Sequence, residues 1–308
     1  MKSFAILVDT TADITPGICR RFEIDYIKGH LMLPDGSETL STLEWDSLTK
    51  KAFYDALRRG DSYSTSPANI TEFTEVLTRY AESGRDVLVL TISSGLSGTF
   101  GFATKAREAV LEKHPECNIK VVDTLRYSAL EGLMAIYASN MRGEGRTLAE
   151  TADWLEQNKN RFHQMGWLDD LSFVARQGRL TNSQAFFGKL IGIKPLGEID
   201  YNGLTTVLGK AKGEKAGYDA ILRYIERTIE KPEEQILFVA SSDRDKQALV
   251  LRDKLAERFH PKEIIMTDVF PSCGVNVGPG LMAAYYLGKP ISQGLEQERA
   301  LMKEILGN

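Results

Sequence analysis

Residues 87–102 read VLVLTISSGLSGTFGF, and the rest of the chain is organised around this stretch. Val87, Leu88, Val89 and Leu90 form a short apolar run rich in β-formers. Ser93 to Gly98 is a turn rich in hydroxyls and glycine, and a helical pattern opens after Thr99. Strand, loop and helix start therefore follow one another. Backbone N–H groups at a helix N-terminus are unpaired and carry partial positive charge, so a loop at the C-terminal end of a buried strand seats an anion. Ser93, Ser94 and Ser97 add three hydroxyls able to donate to the same oxygen atoms. The alternative is a glycine-rich strand-to-helix turn whose serines cap the helix.

With 308 residues and 43% hydrophobic content, the chain is long enough for two α/β domains or one large one. A formal net charge of -4 gives no reason to expect nucleic acid as a partner. No apolar run approaches the ~18 to 20 residues that span a bilayer, and residues 1–9 lack the long apolar segment of a secretion signal. A soluble, cytoplasmic protein is expected. Cys19, Cys117 and Cys273 are widely spaced and form no CxxC, which argues for packing cysteines and against a disulfide framework or a zinc site.

The pattern of the central stretch recurs along the first half. The apolar run over 4–8 ends in the polar segment 9–13, after which Thr15 and Pro16 read as an N-cap and first helical residue. A second strand is expected over 24–33, a helix over 45–59, a hydroxyl-rich loop over 63–69 and a helix over 70–81. The apolar run over 119–122 ends in Asp123 and Thr124, before a helix over 130–142. Strands alternating with helices imply a parallel, doubly wound sheet covered on both faces, with ligands outside the carboxyl ends of the strands. The loops over 9–13, 65–69, 93–98 and 123–128 then gather on one edge.

A break at 143–146 and a polar-faced helix over 147–158 divide the chain into domains over 1–158 and 159–308. In the second half we expect a helix over 185–191 and a strand over 193–199 pairing as a hairpin with 204–209. Further strands are expected over 235–240 and 263–269, helices over 216–229 and 246–258, a glycine-rich stretch over 274–280, and a helix from Leu281. Together these give a second α/β domain with a mixed sheet.

Five motifs then stand in a telling order. They are Asp9-Thr10-Thr11-Ala12-Asp13; Thr65-Ser66 with Asn69 and Phe73; Ser93-Ser94-Gly95-Leu96-Ser97-Gly98-Thr99; Gln177-Gly178-Arg179-Leu180 followed by Gly192-Ile193-Lys194-Pro195; and Gly278-Pro279-Gly280. In order and approximate spacing the chain resembles the DegV family over nearly its whole length. That resemblance implies a two-domain α/β fold with a lipid tunnel between the domains, no catalytic constellation, and no cofactor beyond the bound lipid. It implies that the chain binds a long-chain fatty acid. In bacteria with a fatty acid kinase, the carboxylate is presented to a separate ATP-binding kinase subunit for phosphorylation, a step of phospholipid metabolism.

The resemblance assigns Thr65, Ser93, Ser94 and Ser97 to the carboxylate, and hydroxyls with helix N-terminal amides do hold a carboxylate without a buried countercharge. The family carries a histidine two residues before its Gly-Pro-Gly; here that residue is Asn276, whose amide donates but carries no charge. Phe100, Phe186, Leu190 and Ile193 flank the motif loops as candidate lining for the acyl chain, with ordinary core packing as the alternative. Arg179 matches a motif implicated in docking the kinase, or else caps a helix or forms an inter-domain salt bridge. Lys212, with Lys210 and Lys215, falls where the family has an Arg- and Lys-rich stretch, or else forms a solvated face.

Other chemistries fit less well. Gly95-Leu96-Ser97-Gly98 is one residue short of the GxSxG of an esterase, and the proline of Gly278-Pro279-Gly280 removes an N–H that a dinucleotide-binding turn needs. Adjacent Asp169 and Asp170 suit a helix N-terminus better than a metal. The rival function is a carrier of another amphiphile, or of fatty acid without a kinase partner, favoured by Asn276 and the lysine-only segment.

Overall fold

The computed structural model describes residues 4–45, 48–180 and 192–307. Two compact units divide the chain: Met1–Trp45, Ser62–Lys159 and Phe270–Ser272 form the first, and Asp46–Asp61, Asn160–Val269 and Cys273–Asn308 the second.

The first unit contains β1 (Ala5–Asp9), β2 (Ile24–Ile27), β3 (His30–Met32), β4 (Glu38–Leu40), β5 (Ser64–Ser66), β6 (Val87–Thr91) and β7 (Ile119–Asp123). Four of them form a parallel sheet in the order β2-β1-β6-β7. Every residue of β1 and β6 is buried, as a sheet covered on both faces requires. On one face Ala5, Leu7, Val87 and Val89 pack with Phe73 and Leu77 of the helix Ile70–Glu82 and with Ala103, Ala106 and Val110 of the helix Thr99–Lys113. Alternate residues point the other way, and the apolar helix Ala129–Gly143 packs against β1, β2 and β6. Local signals start the helices where expected. The Ile18 amide donates to the Thr15 hydroxyl with Pro16 next in line, and Asn69 with Glu72 and Thr147 with Glu150 close capping boxes.

The strand expected over 24–33 is two strands in two sheets. β2 stays in the parallel sheet, whereas β3 joins an antiparallel sheet in the order β4-β3-β5. Gly29 makes the change possible: a Cβ there would lie 2.9 Å from the Ser66 carbonyl oxygen. Thr65, expected in a loop, stands in β5 opposite Leu31.

The second unit holds β8 (Phe162–Leu168), β9 (Ile193–Ile199), β10 (Thr205–Lys212), β11 (Ile236–Ser241), β12 (Glu263–Asp268) and β13 (Leu281–Leu287), in the order β10-β9-β8-β13-β11-β12. The sheet is mixed: β11 and β12 run parallel, and the other neighbouring pairs are antiparallel. The helices Gly213–Thr228, Asp245–Phe259 and Glu296–Leu306 contribute Tyr224, Leu251 and Met302 to its core.

Three expectations are corrected here. The segment from Leu281 is not a helix but the inner strand β13, bonded to both β8 and β11. Its seven residues, LMAAYYL, are apolar throughout, and periodicity does not separate a short buried strand from a buried helix. The glycine-rich stretch from 274 begins inside a helix, Pro271–Val277. β8 was not anticipated because His163 and Gln164 interrupt its apolar run; burial is made tolerable by partners. His163 Nδ1 lies 2.8 Å from Glu198 Oε2, and its Nε2 donates to the Lys289 carbonyl at 2.7 Å. Glu198 Oε1 in turn accepts the Gln164 and Ile199 amides at 2.9 Å. The helix expected over 185–191 lies outside the described residues.

Gly132 is a close-approach position in the first unit: a Cβ there would lie 2.7 Å from the Ala12 carbonyl oxygen and 2.3 Å from Ile14 Cγ2. Backbone cannot give way as a flexible side chain does, so Gly132→Ala is expected to destabilise the protein by about 1–3 kcal/mol. Denaturant titration followed by circular dichroism tests this, and a midpoint equal to the parent's would contradict it.

Candidate functional site at the C-terminal edge of the parallel sheet

The loops that follow β1, β6 and β7 are bonded to one another. Asp9, the last residue of β1, accepts the Ile92 amide from beyond β6 at 3.3 Å. Beyond β7, Asp123 Oδ1 accepts the Ser94 amide at 3.1 Å and the Arg126 carbonyl accepts the Ser93 amide at 2.8 Å. Hydroxyls extend the network: Thr10 Oγ1 accepts the Gly29 amide at 3.2 Å and the Ser272 hydroxyl at 2.9 Å, and Ser272 Oγ lies 2.6 Å from Ser41 Oγ. Gly29 precedes β3, so the same network reaches the sheet that carries Thr65.

Beneath these loops lies a pair of buried carboxyls that the sequence reading did not assign. Asp9 is 6% exposed and Glu131 fully buried. The Thr11 hydroxyl sits between them, against Asp9 Oδ1 on one side and 2.8 Å from Glu131 Oε2 on the other. One hydroxyl proton cannot serve two carboxylates. The contacts are satisfied when Thr11 donates to one acid and accepts from the other, which then carries a proton. Burial raises the Asp9 carboxyl despite its hydrogen bonds from Thr11 and Ile92. Burial, reinforced by the neighbouring Asp9 charge, holds Glu131 well above the usual range. Both shifts favour a proton on the pair, and the stronger upward push falls on Glu131. Its signal was present in the sequence, a single acid inside the apolar run of ALEGLMAIYA.

In the loop after β6, most amides already have partners. Ser93 and Ser94 donate as above, Gly95 donates to Ser93 Oγ at 3.2 Å, and Leu96 and Ser97 donate to the Ser93 carbonyl at 3.0 and 3.2 Å. Ser93 is fully buried, whereas Ser94 is exposed. Ser97 Oγ lies 2.8 Å from Thr99 Oγ1 and accepts the Thr99 amide at 3.4 Å, a local turn contact just ahead of the helix. Among the described residues, the Ser94 hydroxyl and the amides of Gly98, Phe100 and Gly101 have no hydrogen-bond partner. These donors face the start of a helix of 15 residues, where the partial positive charge collects.

The remaining candidates are placed as follows. Phe100, half-buried, opens that helix; Ile193, half-buried, opens β9; Asn276, half-buried, lies in the helix Pro271–Val277 of the second unit. Phe186 and Leu190 lie outside the described residues. Arg179 follows the helix Ser172–Arg176, and its guanidinium donates to the Gln177 carbonyl, the geometry of a C-terminal cap. Lys212 is exposed at the end of β10, so part of the lysine segment is strand. Asp170 accepts the Ser172 amide at 2.8 Å, and Asp169 pairs with Lys194 and Arg244 at 2.7 and 2.6 Å. Among the described residues no group of three or more His, Cys, Asp or Glu side chains is placed to hold a metal ion.

His30 of β3 was also missed. Its Nδ1 and Nε2 each lie 3.0 Å from a carboxylate oxygen, of Glu38 in β4 and of Glu72 in the helix Ile70–Glu82. Donating from both nitrogens requires the imidazolium. The hydrogen bond to Glu72 raises the His30 value above the usual one, against the opposing effect of burial.

An α/β chain with one parallel and one mixed sheet, and a hydroxyl-lined strand-to-helix loop, defines the class. The family model described as "Uncharacterised protein, DegV family" matches residues 3–289. The chain belongs to the DegV family. A DegV domain-containing protein of Clostridium perfringens is 34% identical over 288 residues, covering 94% of this chain and 98% of the relative. A protein of Thermotoga maritima named as a fatty acid-binding protein is 29% identical over 281 residues, covering 89% and 94%. A DegV family protein of Thermus thermophilus, whose structure is described for its fatty acid binding, superposes with a TM-score of 0.81 at 25% identity, covering 94% of this chain and all of that one. The fold is the two-domain DegV fold.

Two pH-dependent outcomes follow from these groups. Because folding raises the Glu131 value, its contribution declines as pH rises from about 4 through the folded value. Glu131→Gln, which can donate to Thr11 without a proton, is expected to raise the denaturation midpoint relative to the parent at about pH 8 and to lose that advantage near about pH 4. An equal or lower midpoint at the higher pH would count against the shared proton. The His30 ion pairs stabilise fully below about pH 6.5 and fade as pH rises through the raised folded value. The Tm difference between the parent and His30→Gln should therefore shrink across that range, and a constant difference would show that His30 is not charged in the fold.

Proposed function

We propose that the chain binds a long-chain fatty acid and presents its carboxylate to a separate ATP-dependent kinase subunit for acyl-phosphate formation. The observation that carries the headgroup part is the set of unpartnered donors after β6: the Ser94 hydroxyl and the Gly98, Phe100 and Gly101 amides at a helix start. They suit an anion that arrives with one charge and several lone pairs. Thr65 in β5 and Ser93, Ser97 and Asn276 complete the proposed carboxylate set. The names of the Thermotoga and Thermus relatives support the same ligand.

Phe100 and Ile193, with Phe186 and Leu190, are proposed to line the acyl chain. At ~0.8 kcal/mol per buried methylene, an enclosed tail outweighs a modest headgroup, so Asn276 in place of a charged residue is compatible with binding. Arg179 and Lys212 are proposed to meet the kinase subunit, and the reading gives this chain no bond-making chemistry of its own. A carrier without a kinase partner is the second reading, favoured by the Arg179 guanidinium already donating to Gln177.

Denaturing extraction and mass spectrometry of the protein purified from cells should yield a stoichiometric long-chain fatty acid. Thr65→Ala and Ser94→Ala should each weaken fatty acid binding roughly tenfold, the worth of one hydrogen bond to a charged group, with circular dichroism unchanged. If both variants bind as tightly as the parent, the headgroup assignment is wrong. If the parent carries no fatty acid and takes none up, the proposed ligand is wrong.

A further inference from the structure

Asp123 ends β7 with its backbone in register with Thr91 of β6. A single carboxylate oxygen, Oδ1, accepts two amides at 3.1 Å, from Ser94 across the sheet edge and from Leu125 in its own loop. Leu125 holds a positive φ of 50°, a conformation that a leucine keeps only when its surroundings fix it. Beside this contact, Ser93 donates to the Arg126 carbonyl at 2.8 Å, and the Thr124 hydroxyl donates to the Thr91 carbonyl at 2.8 Å. The loops after β6 and β7 are thus joined, and Asp123 is the side chain that joins them at Ser94.

Two consequences follow. With its amide donated to Asp123, Ser94 offers an arriving anion its hydroxyl, and the backbone that carries that hydroxyl is held by the Asp123 contact. The carboxylate also leaves a fixed negative charge within one residue's breadth of the hydroxyl. The neighbouring Lys159 is not bonded to this carboxylate: its amine donates to the Asp123 backbone carbonyl at 3.1 Å and pairs with Glu156 at 2.6 Å. Coulomb repulsion grows with the charge of the ligand head, so a dianion is penalised about twice as strongly as a monoanion in the same place.

We infer that Asp123 is the positioning residue of the headgroup site and also its charge selector, fixing the Ser94 hydroxyl while favouring a singly charged carboxylate over a doubly charged phosphate head. The inference rests on the proposed headgroup role of Ser94. It gives the presented site a direction: the substrate acid is retained, and an acyl phosphate bearing more charge is expelled.

Substitutions at Asp123 separate the two roles. Asp123→Asn keeps an oxygen that accepts both amides and removes the charge; Asp123→Ala removes both. Dissociation constants are measured for hexadecanoic acid and for hexadecyl phosphate. Asp123→Asn is expected to bind the acid at least as tightly as the parent and to reduce the preference for acid over phosphate roughly tenfold. Asp123→Ala is expected to weaken acid binding roughly tenfold, as one charged-group hydrogen bond would. A general loss of structure would not produce rescue by asparagine together with a changed preference. If Asp123→Asn loses acid binding as Asp123→Ala does, or if the preference is unchanged, the inference fails while the headgroup reading stands. If the parent binds neither probe, the headgroup reading fails and this inference falls with it.

Discussion

Two carboxyl groups buried against each other resist carrying two negative charges at once, and a shared proton relieves the conflict. In the first unit that conflict falls on Asp9 and Glu131, with the Thr11 hydroxyl in the middle. The arrangement is more than a tolerated burial. Asp9 also accepts the Ile92 amide, and Glu131 Oε1 accepts the Asp9 amide at 3.4 Å, so the end of β1, the exit of β6 and a helix on the back of the sheet meet at one proton-sharing point. A carboxylate that lost its proton there would also meet the charge of the neighbouring Asp13, which pushes Glu131 further up.

The loops above inherit their order from this point. Asp9 fixes where the chain leaves β6, and Asp123 holds the Ser94 amide two residues further on. What remains unpartnered is narrower than a glycine-rich loop suggests, because five successive amides from Ser93 to Ser97 already donate within the protein. The second unit obeys the same rule by another route. There His163 and Glu198 are both buried in the sheet, and the glutamate is held by two backbone amides as well as the imidazole. In both sheets these buried acids are held by hydrogen bonds from other elements.

Much of this fold was legible in the sequence, and the pattern of successes has a physical basis. β1, β6 and β7 are short runs rich in apolar residues, each followed by a polar loop and a helix, so local and tertiary preferences agree, and the parallel sheet could be read directly. Where an element is apolar on every side, as in LMAAYYL, periodicity carries no information and only the pairing with β8 and β11 decides. β8 was hidden for the opposite reason: His163 and Gln164 look solvent-facing until Glu198, some 35 residues on, supplies the partners. The serine loop was legible as hydroxyl-rich, but the division between hydroxyls that cap and hydroxyls that remain available depends on distances. Glu131, His30 and Asp123 acquire their roles from partners on other elements, and no spacing rule links them.

The assignment of Phe270–Ser272 to the first unit has a consequence for how the chain is made. The Phe270 amide donates to Asp13 and the Ser272 hydroxyl to Thr10, so the loop that starts near the first strand is completed by residues translated more than 250 positions later. A ribosome releasing this chain from its N-terminus exposes the parallel sheet long before its last hydrogen bonds exist. The nascent first half therefore waits, with Asp13 and Thr10 still open to water, until nearly the whole second unit has emerged. Vectorial synthesis and native assembly finish together rather than in turn.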